Sequence, residues 1–476
     1  MIFTMIGGGA HRLLATVRGA IAEGVFQNGG ELRYYDLDAS RAQVMAEMIQ
    51  KSPEFRANPA PITVKWDLTL ETALEGANVV SVTLLAGGSY VKDISEELAW
   101  SYGFIGSDNV SYPGAFLALR GAPILMNIAR TMEKVCPKAI LLNFANPVAV
   151  LSAMVSRHTS IHCYGVCEGY VNHGYDLTRL LTGEDRYDPN YDVLVAGVNH
   201  ASFIVDGSLN GVPLQRLLNE RLREEADPIS KINFAPYLSE FTKDWIRFGL
   251  RTILTLYKER GVILFSTEPD GFSQYFHEDA IAYNGTPFEH NGVLLSDDAM
   301  NVLEKRYQQG CENRQEANRI FAEYAKKSAD DIPWNDPAHH VFCVPKLGDV
   351  QGKILAGLSG AKETRVAVSA PNNGAVSNIP HGMAVEFSHT VTPKGLTPIQ
   401  GLAVPDTVLG MTTALAVHQT LLADACFTHN PHDLHKALLA FPYASDTAAA
   451  KELWRKLLIV SRDTIHPDFQ ELVNVL

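Results

Sequence analysis

Two short segments of this chain carry side chains suited to chemistry. GVCEGY supplies Cys167 and Glu168, and GVNHASF supplies His200. A thiolate and an imidazole together can hold a borderline divalent cation, and two protein ligands leave positions open for substrate oxygens. A buried cysteine and a hydrogen-bonded histidine would fit the same residues, so both readings stay open. Glu168 beside the cysteine is either a proton carrier or a solvated surface carboxylate. Near the N-terminus, the apolar run MIFTMI stops at Gly7, Gly8 and Gly9. Glycines there let the backbone approach a pyrophosphate, and the following helix offers its N–H groups and positive dipole end. The G-x-G-x-x-G pattern is incomplete, because Arg12 stands at the third glycine. Asp36 ends the next apolar run. A carboxylate there accepts hydrogen bonds from an adenosine ribose and repels a 2′-phosphate, which favours NAD(H) over NADP(H).

These residues need elements that gather strand ends, and the apolar pattern supplies them. Residues 1–6, 31–35, 62–66, 78–85, 139–144 and 162–166 read as strands. Amphipathic segments such as HRLLATVRGAIAEGV and SRAQVMAEMIQ lie between them, the latter with Ser40 as its N-cap. Apolar strands alternating with helices predict a parallel sheet covered on both faces. The expected fold is α/β, with an N-terminal doubly wound (Rossmann) sheet over residues 1–195. After that the rhythm changes. Residues 214–226, 299–328, 409–425, 434–439 and 446–460 read as helices, with TRVAVSA as a strand. Residues 196–476 are therefore read as a mixed, mostly helical domain packed on the first. Ligands of doubly wound sheets lie at the carboxyl ends of the strands, where Cys167 and His200 fall.

Composition narrows the function. The 476 residues are 46% hydrophobic and 20% charged with a net charge of −13, which excludes wholesale disorder and offers no basic face for nucleic acid. Six scattered cysteines (Cys136, Cys163, Cys167, Cys311, Cys343, Cys426) read as free thiols of a reducing cytoplasm. The N-terminus lacks the basic region of a secretory signal. The longest apolar stretch, AILLNFANPVAVLSAMV, contains Asn143, Asn146 and Pro147, so no membrane span is expected.

The ordered set IGGGAHR, YYDLD, YPGAFLALR, NFANPV, GVCEGY, GVNHASF and SNIPHGMAVEF resembles glycoside hydrolase family 4 along nearly the whole chain. These are NAD-dependent exceptions among glycosidases, and they include 6-phospho-glucosidases, α-galactosidases, α-glucuronidases and α-galacturonidases. The resemblance implies an NAD domain related to lactate and malate dehydrogenases, a C-terminal half that completes the sugar site, and a homodimer or homotetramer. It implies that Cys167 and His200 bind Mn²⁺ or a similar cation and that Asn146 contacts the sugar nearby. Glu168, by position with the family's aspartate, becomes the acid that assists the leaving group. Tyr257, in RTILTLYKERG, becomes the base, with Tyr275 and Asp270 as substitutes; a tyrosine pKa of ~10 would have to be lowered for that role. Lys92 stands where an arginine is usual, and Arg120 of the ALR motif is either a substrate clamp or a helix cap.

The implied reaction oxidises the sugar at C3 with NAD, removes the C2 proton with metal assistance and eliminates the aglycone. Water addition and re-reduction complete the hydrolysis. The alternatives are an NAD-dependent 2-hydroxyacid or sugar dehydrogenase, which would release NADH with product, and a non-catalytic NAD sensor. The sequence departs from the family at Glu168-Gly-Tyr, at GSDNVSYPGA and at Phe203, which stands in place of a tryptophan. Sugar and anomer therefore stay open. So does the choice among phosphorylated, uronic and neutral glycosides, the anionic ones included.

Overall fold

The computed structural model describes residues 1–266, 268–272, 275, 297–334 and 349–476. Six strands, β1 (Ile2–Ile6), β2 (Gly30–Tyr35), β3 (Ile62–Lys65), β4 (Val79–Val82), β5 (Ile140–Asn143) and β6 (His162–Gly165), pair in parallel in the order β3-β2-β1-β4-β5-β6. That is the doubly wound order expected from alternating strands and helices. β4 is buried along its whole length, as a central strand covered on both faces must be. Ser40 is not the N-cap of its helix. The helix Ala39–Lys51 starts two residues earlier than that cap would place it, and Asp38 caps it by accepting from the Ser40 N–H at 3.0 Å.

The sheet does not stop at β6. Seven further strands follow in the chain: β7 (Tyr191–Val198), β8 (Ala201–Leu209), β9 (Val212–Pro213), β10 (Ile263–Leu264), β11 (Thr364–Pro371), β12 (Ala384–Thr392) and β13 (Gly395–Pro398). They extend it antiparallel as β6-β11-β12-β7-β8-β10, with β13 on β12 and β9 on β8. Of the later strands, β11 is the TRVAVSA segment. β12 escapes a reading by hydrophobic pattern because its buried row AVEFSHTVT includes Glu386, Ser388 and His389. Long helices flank these strands, among them Glu240–Arg260, Asp297–Lys326, Asp406–Thr428 and Ala448–Ser461. Among the described residues no helix is long and apolar enough to cross a membrane. The described cysteines are free, and Cys343 lies outside the described residues.

Register carries one line of pairs across the junction of the two half-sheets. Gly165 of β6 pairs with Ser369 of β11, Ser369 with Glu386 of β12, and Glu386 with Gly197 of β7. Gly165–Ser369 is the one registered pair between β6 and β11. A Cβ on Gly165 would lie 2.8 Å from the Val148 carbonyl oxygen and 2.9 Å from both Ser152 Oγ and Ser369 Cβ. Overpacking of this kind costs about 1–3 kcal/mol. Gly165→Val should therefore lower the urea midpoint of unfolding, and an unchanged midpoint would show that the seam has slack.

Candidate active site

The glycine turn after β1 is held by the end of β2. The N–H groups of Gly7 and Gly8 donate to the Tyr35 carbonyl at 2.9 and 2.7 Å, and the Gly9 N–H donates to Asp36 Oδ2 at 2.9 Å. Asp36 Oδ1 accepts from the Asp38 N–H at 3.0 Å. An ionised carboxylate offers about four acceptor sites, so Asp36 retains capacity for hydroxyl donors. Beside the turn lies a cavity of about 230 Å³ lined by Gly9, His11, Asp38, Arg41 and Phe321 among others. Arg12, in the place of a third glycine, crosses to the end of β6. Its guanidinium lies 3.9 Å over the Phe144 ring and pairs with Glu168. Burial and the neighbouring Asp349 carboxylate push the Glu168 pKa up, against the pull of Arg12.

Cys167 follows β6, and His200 occupies the two-residue turn between β7 and β8. His200 adopts a left-handed conformation (φ 66°), uncommon outside glycine. Its Nε2 lies 3.8 Å from Cys167 Sγ, and its Nδ1 lies 2.8 Å from Asp270 Oδ1. An ionised Asp270 can only accept, so Nδ1 carries a proton and Nε2 is the nitrogen that faces the sulfur, free to offer a lone pair once it loses its own proton. Burial alone would lower the His200 pKa, but Asp270 and Cys167 lift it well above the usual value. Burial likewise opposes charge on Asp270, yet His200, Ser107 Oγ at 2.6 Å and the Val110 N–H at 3.0 Å hold it below the usual range. The segment carrying Asp270 can press this close because Gly271 has no side chain: a Cβ there would sit 1.7 Å from the His200 carbonyl oxygen.

A carboxylate on the far nitrogen is the usual support of a metal-binding histidine. Sulfur, a lone pair held toward it and that support fit a borderline divalent cation. Among the described residues no group of three or more His, Cys, Asp or Glu is arranged to hold a metal. Cys167 and His200 are thus the protein ligands on offer, with the remaining positions left to other oxygens.

The segment 107–109 ties the expected residues together. Asn109 Nδ2 donates to Asn199 Oδ1 at 2.8 Å and lies 3.2 Å from His200 Nε2. Asp108 Oδ1 accepts from Asn146 Nδ2 at 3.0 Å, and its other oxygen lies 3.9 Å from Lys92 Nζ. Lys92 also pairs with Glu96 at 2.7 Å. Cys167, Glu168, Asn199, His200, Glu268 and Glu386 line one cavity of about 70 Å³. Glu386 accepts from Asn199 Nδ2 at 2.9 Å and from Ser202 Oγ at 2.6 Å. Reasoning from sequence missed Asp108, Asn109, Glu268 and Glu386. The first two sit in GSDNVS, the segment where the chain departs from its family pattern.

Tyr257 is not brought to this cavity, which corrects its assignment as base. Its hydroxyl lies 3.1 Å from both the Gln215 carbonyl and Asn219 Oδ1, on the helix Leu214–Glu224. Burial raises its pKa, the wrong direction for a base. Tyr275 is no better, since burial pushes it up to about 12. Asp270 is committed to His200. Arg120 lies buried within the helix Tyr112–Val135, so it does not cap its own helix. Its Nη1 is 3.4 Å from Ser461 Oγ, at the last residue of Ala448–Ser461.

A doubly wound dinucleotide-type sheet, with a sulfur–imidazole pair and several carboxylates at its strand ends, describes a class of site. The chain belongs to the family 4 glycosyl hydrolases: residues 2–182 match the family 4 glycosyl hydrolase model and residues 195–443 its C-terminal domain. It is similar to an α-galactosidase of Bacillus subtilis, at 24% identity over 94% of this chain and 95% of that one. It is also similar to a 6-phospho-β-glucosidase of Escherichia coli, at 21% over 87% and 85%. A solved 6-phospho-β-glucosidase from Thermotoga maritima, with manganese, NAD⁺ and glucose-6-phosphate, shares the fold. Its TM-score is 0.71 at 18% identity, covering 98% of this chain and 99% of that one.

Removing a supporting carboxylate from a metal-binding histidine typically lowers metal affinity 10–100-fold. Asp270→Asn should therefore weaken Mn²⁺ binding by about that factor, read by electron paramagnetic resonance titration. Unchanged affinity would separate His200 from the metal.

Proposed function

We propose that this protein hydrolyses an O-glycosidic bond with NAD and a divalent cation such as Mn²⁺. The route is oxidation at sugar C3, removal of the C2 proton, elimination of the aglycone, addition of water and re-reduction. The observation that carries this reading is the pairing of Cys167 Sγ with a His200 Nε2 oriented by Asp270, beside the acid-bearing Glu168. When bound, NAD supplies a two-electron acceptor for C3 and the cation a Lewis acid for the neighbouring oxygens.

The chain's own residues do the rest. The Gly7–Gly9 turn leaves room for the pyrophosphate and Asp36 accepts from the ribose. Cys167 and His200 would hold the cation, and Asn146, Lys92 and Arg120 were the residues expected to meet the sugar. Asn146 and Lys92 share Asp108. The cavity has room for a cation and adjacent hydroxyls, so the remainder of the glycoside projects outward. Glu168, whose burial favours its protonated form, donates to the leaving oxygen. The base is assigned among the described carboxylates at the cavity. Glu386 is held by Asn199 and Ser202, Glu168 by Arg12, and Asp270 by His200. Glu268, lining the same cavity, has no side-chain partner among the described residues, so it takes the C2 proton. A cytoplasmic homodimer or homotetramer completes the reading.

Glu168→Gln should slow substrates with poor leaving groups far more than nitrophenyl glycosides, which depart without protonation. Glu268→Gln should slow both alike. Equal losses from Glu168→Gln would remove it from the acid role.

The mechanism is tested in D₂O. A proton taken from C2 by a side chain exchanges with solvent before it returns, so the released sugar should carry deuterium at C2. Substoichiometric NAD⁺ should support many turnovers. Cleavage by cofactor-free enzyme, with C2 fully protonated, would overturn the reading.

A further inference from the structure

The helix Asp297–Lys326 belongs to the C-terminal half, yet it touches both faces of the N-terminal sheet. From β1 the chain runs to β2 and β3 in one direction and through β4, β5 and β6 in the other. Right-handed crossovers then place Ala39–Lys51 on one face and Gly88–Ser101 on the opposite one. Their buried residues lie in separate cores, Met45 and Ile49 in one, Leu98 and Ala99 in the other. Asp297–Lys326 packs against both helices, so it must pass over an edge of the sheet.

Its contacts say which edge. Lys51, at the end of the first helix, bonds the Ala325 carbonyl and, at 2.9 Å, the Lys327 carbonyl. Phe321 stacks on His11 with ring centroids 4.1 Å apart, and Asn318 bonds the same histidine. Arg314 Nη2 lies 3.1 Å from Ser89 Oγ, and Tyr307 meets Tyr90 at 4.9 Å between centroids. His11 closes the turn after β1, and Ser89 lies in the first turn of the helix after β4. The crossing is therefore over the carboxyl ends of β1 and β4, where the strand order reverses. Ligands of doubly wound sheets bind at that point.

Tyr307, Arg314, Asn318 and Phe321 recur at helical spacing, so one face of the helix carries them all. Arg314 is the cation on that face, about 10 Å of helix axis from Phe321. It is exposed, its Nη2 also meets Cys311 Sγ at 3.2 Å, and it forms no ion pair among the described residues. Asp93 feels its charge but feels those of Lys92 and Arg306 too. Below it, two neighbouring strands deliver the N-termini of Arg12–Ala22 and Gly88–Ser101, neither with a side-chain cap. Orphan N–H groups and positive dipole ends favour an anion. A guanidinium on the opposite wall completes a clamp for a diphosphate.

We propose that Arg314 grips the diphosphate of the nicotinamide cofactor, so that a helix of the C-terminal half closes the cofactor cleft of the N-terminal half. This rests on the NAD part of the reading above and adds a residue that the glycine turn and Asp36 do not supply.

The test is binding to the full chain, without sugar or metal, read by displacement of fluorescent NADH. Arg314→Gln should weaken NAD⁺, ADP-ribose and ADP by about 10–100-fold, the worth of a charge-assisted hydrogen bond, and leave adenosine unchanged. Arg314→Lys should recover part of the loss, because it keeps the charge without the fork. The fall of NAD⁺ affinity with ionic strength should also flatten in Arg314→Gln. A residue that only held the helix in place would weaken adenosine along with the others and lower the thermal midpoint of the ligand-free protein. Equal losses for adenosine and NAD⁺, or undiminished NAD⁺ affinity, would overturn the proposal and leave the glycosidase reading standing. A wild-type chain that binds no NADH would overturn the cofactor reading and the proposal with it.

Discussion

One line of paired residues, Gly165–Ser369–Glu386–Gly197, carries the site across the sheet. Cys167 comes shortly after its first member and His200 shortly after its last. The distance between sulfur and imidazole is therefore set by strand pairing, through two strands contributed by the far end of the chain. Glu386 is in the line twice over. Its backbone pairs with Gly197, and its carboxylate holds Asn199 and Ser202 on either side of His200. A one-residue slip in such a ladder turns every side chain to the other face, so register here is inseparable from function. Gly165 is where that line is thinnest, because β6 and β11 meet there through one registered pair.

The second constraint is backbone against backbone. His200 sits in a left-handed turn, and the Pro269–Phe272 helical turn presses onto its carbonyl with no side chain between. That approach delivers Asp270 to Nδ1, while the loop 107–110 holds Asp270 from the other side. The imidazole is thus oriented from two parts of the chain far apart in sequence. Only an oriented imidazole keeps its Nε2 toward Cys167, and a freely rotating one would serve equally well as a surface hydrogen-bonding group.

The doubly wound half was legible from sequence because its strands are apolar throughout and their order follows from alternation with helices. Cys167, Glu168 and His200 were legible because each lies just after a strand, and Asn146 through the family resemblance of NFANPV. The antiparallel half was legible only in pieces such as TRVAVSA, since strands such as β12 bury polar residues and so lose their hydrophobic pattern. Tyr257 shows the limit of local resemblance. RTILTLYKERG fits a motif, but the helix Glu240–Arg260 places the hydroxyl against Gln215 and Asn219. A side chain on a helix has a fixed azimuth, and a short motif does not report which way it faces.

Departure from a family pattern is often treated as loss of information, but here it marks the hub. GSDNVS replaces the family's usual run, and its Ser107, Asp108 and Asn109 reach Asp270, Asn146, Lys92, Asn199 and His200. These are hydrogen bonds made by short polar side chains on a loop, so a change of residue types there redraws several partners at once. Asp108 in particular lies beside Lys92, whose ammonium also pairs with Glu96. The same loop therefore does two jobs through adjacent residues. It holds Asp270 against the His200 imidazole, and it sets Asp108 beside Asn146 and Lys92. The two sets of contacts meet at this segment, so a change of residue there redraws the surroundings of Asn146 and Lys92 without replacing Cys167 or His200.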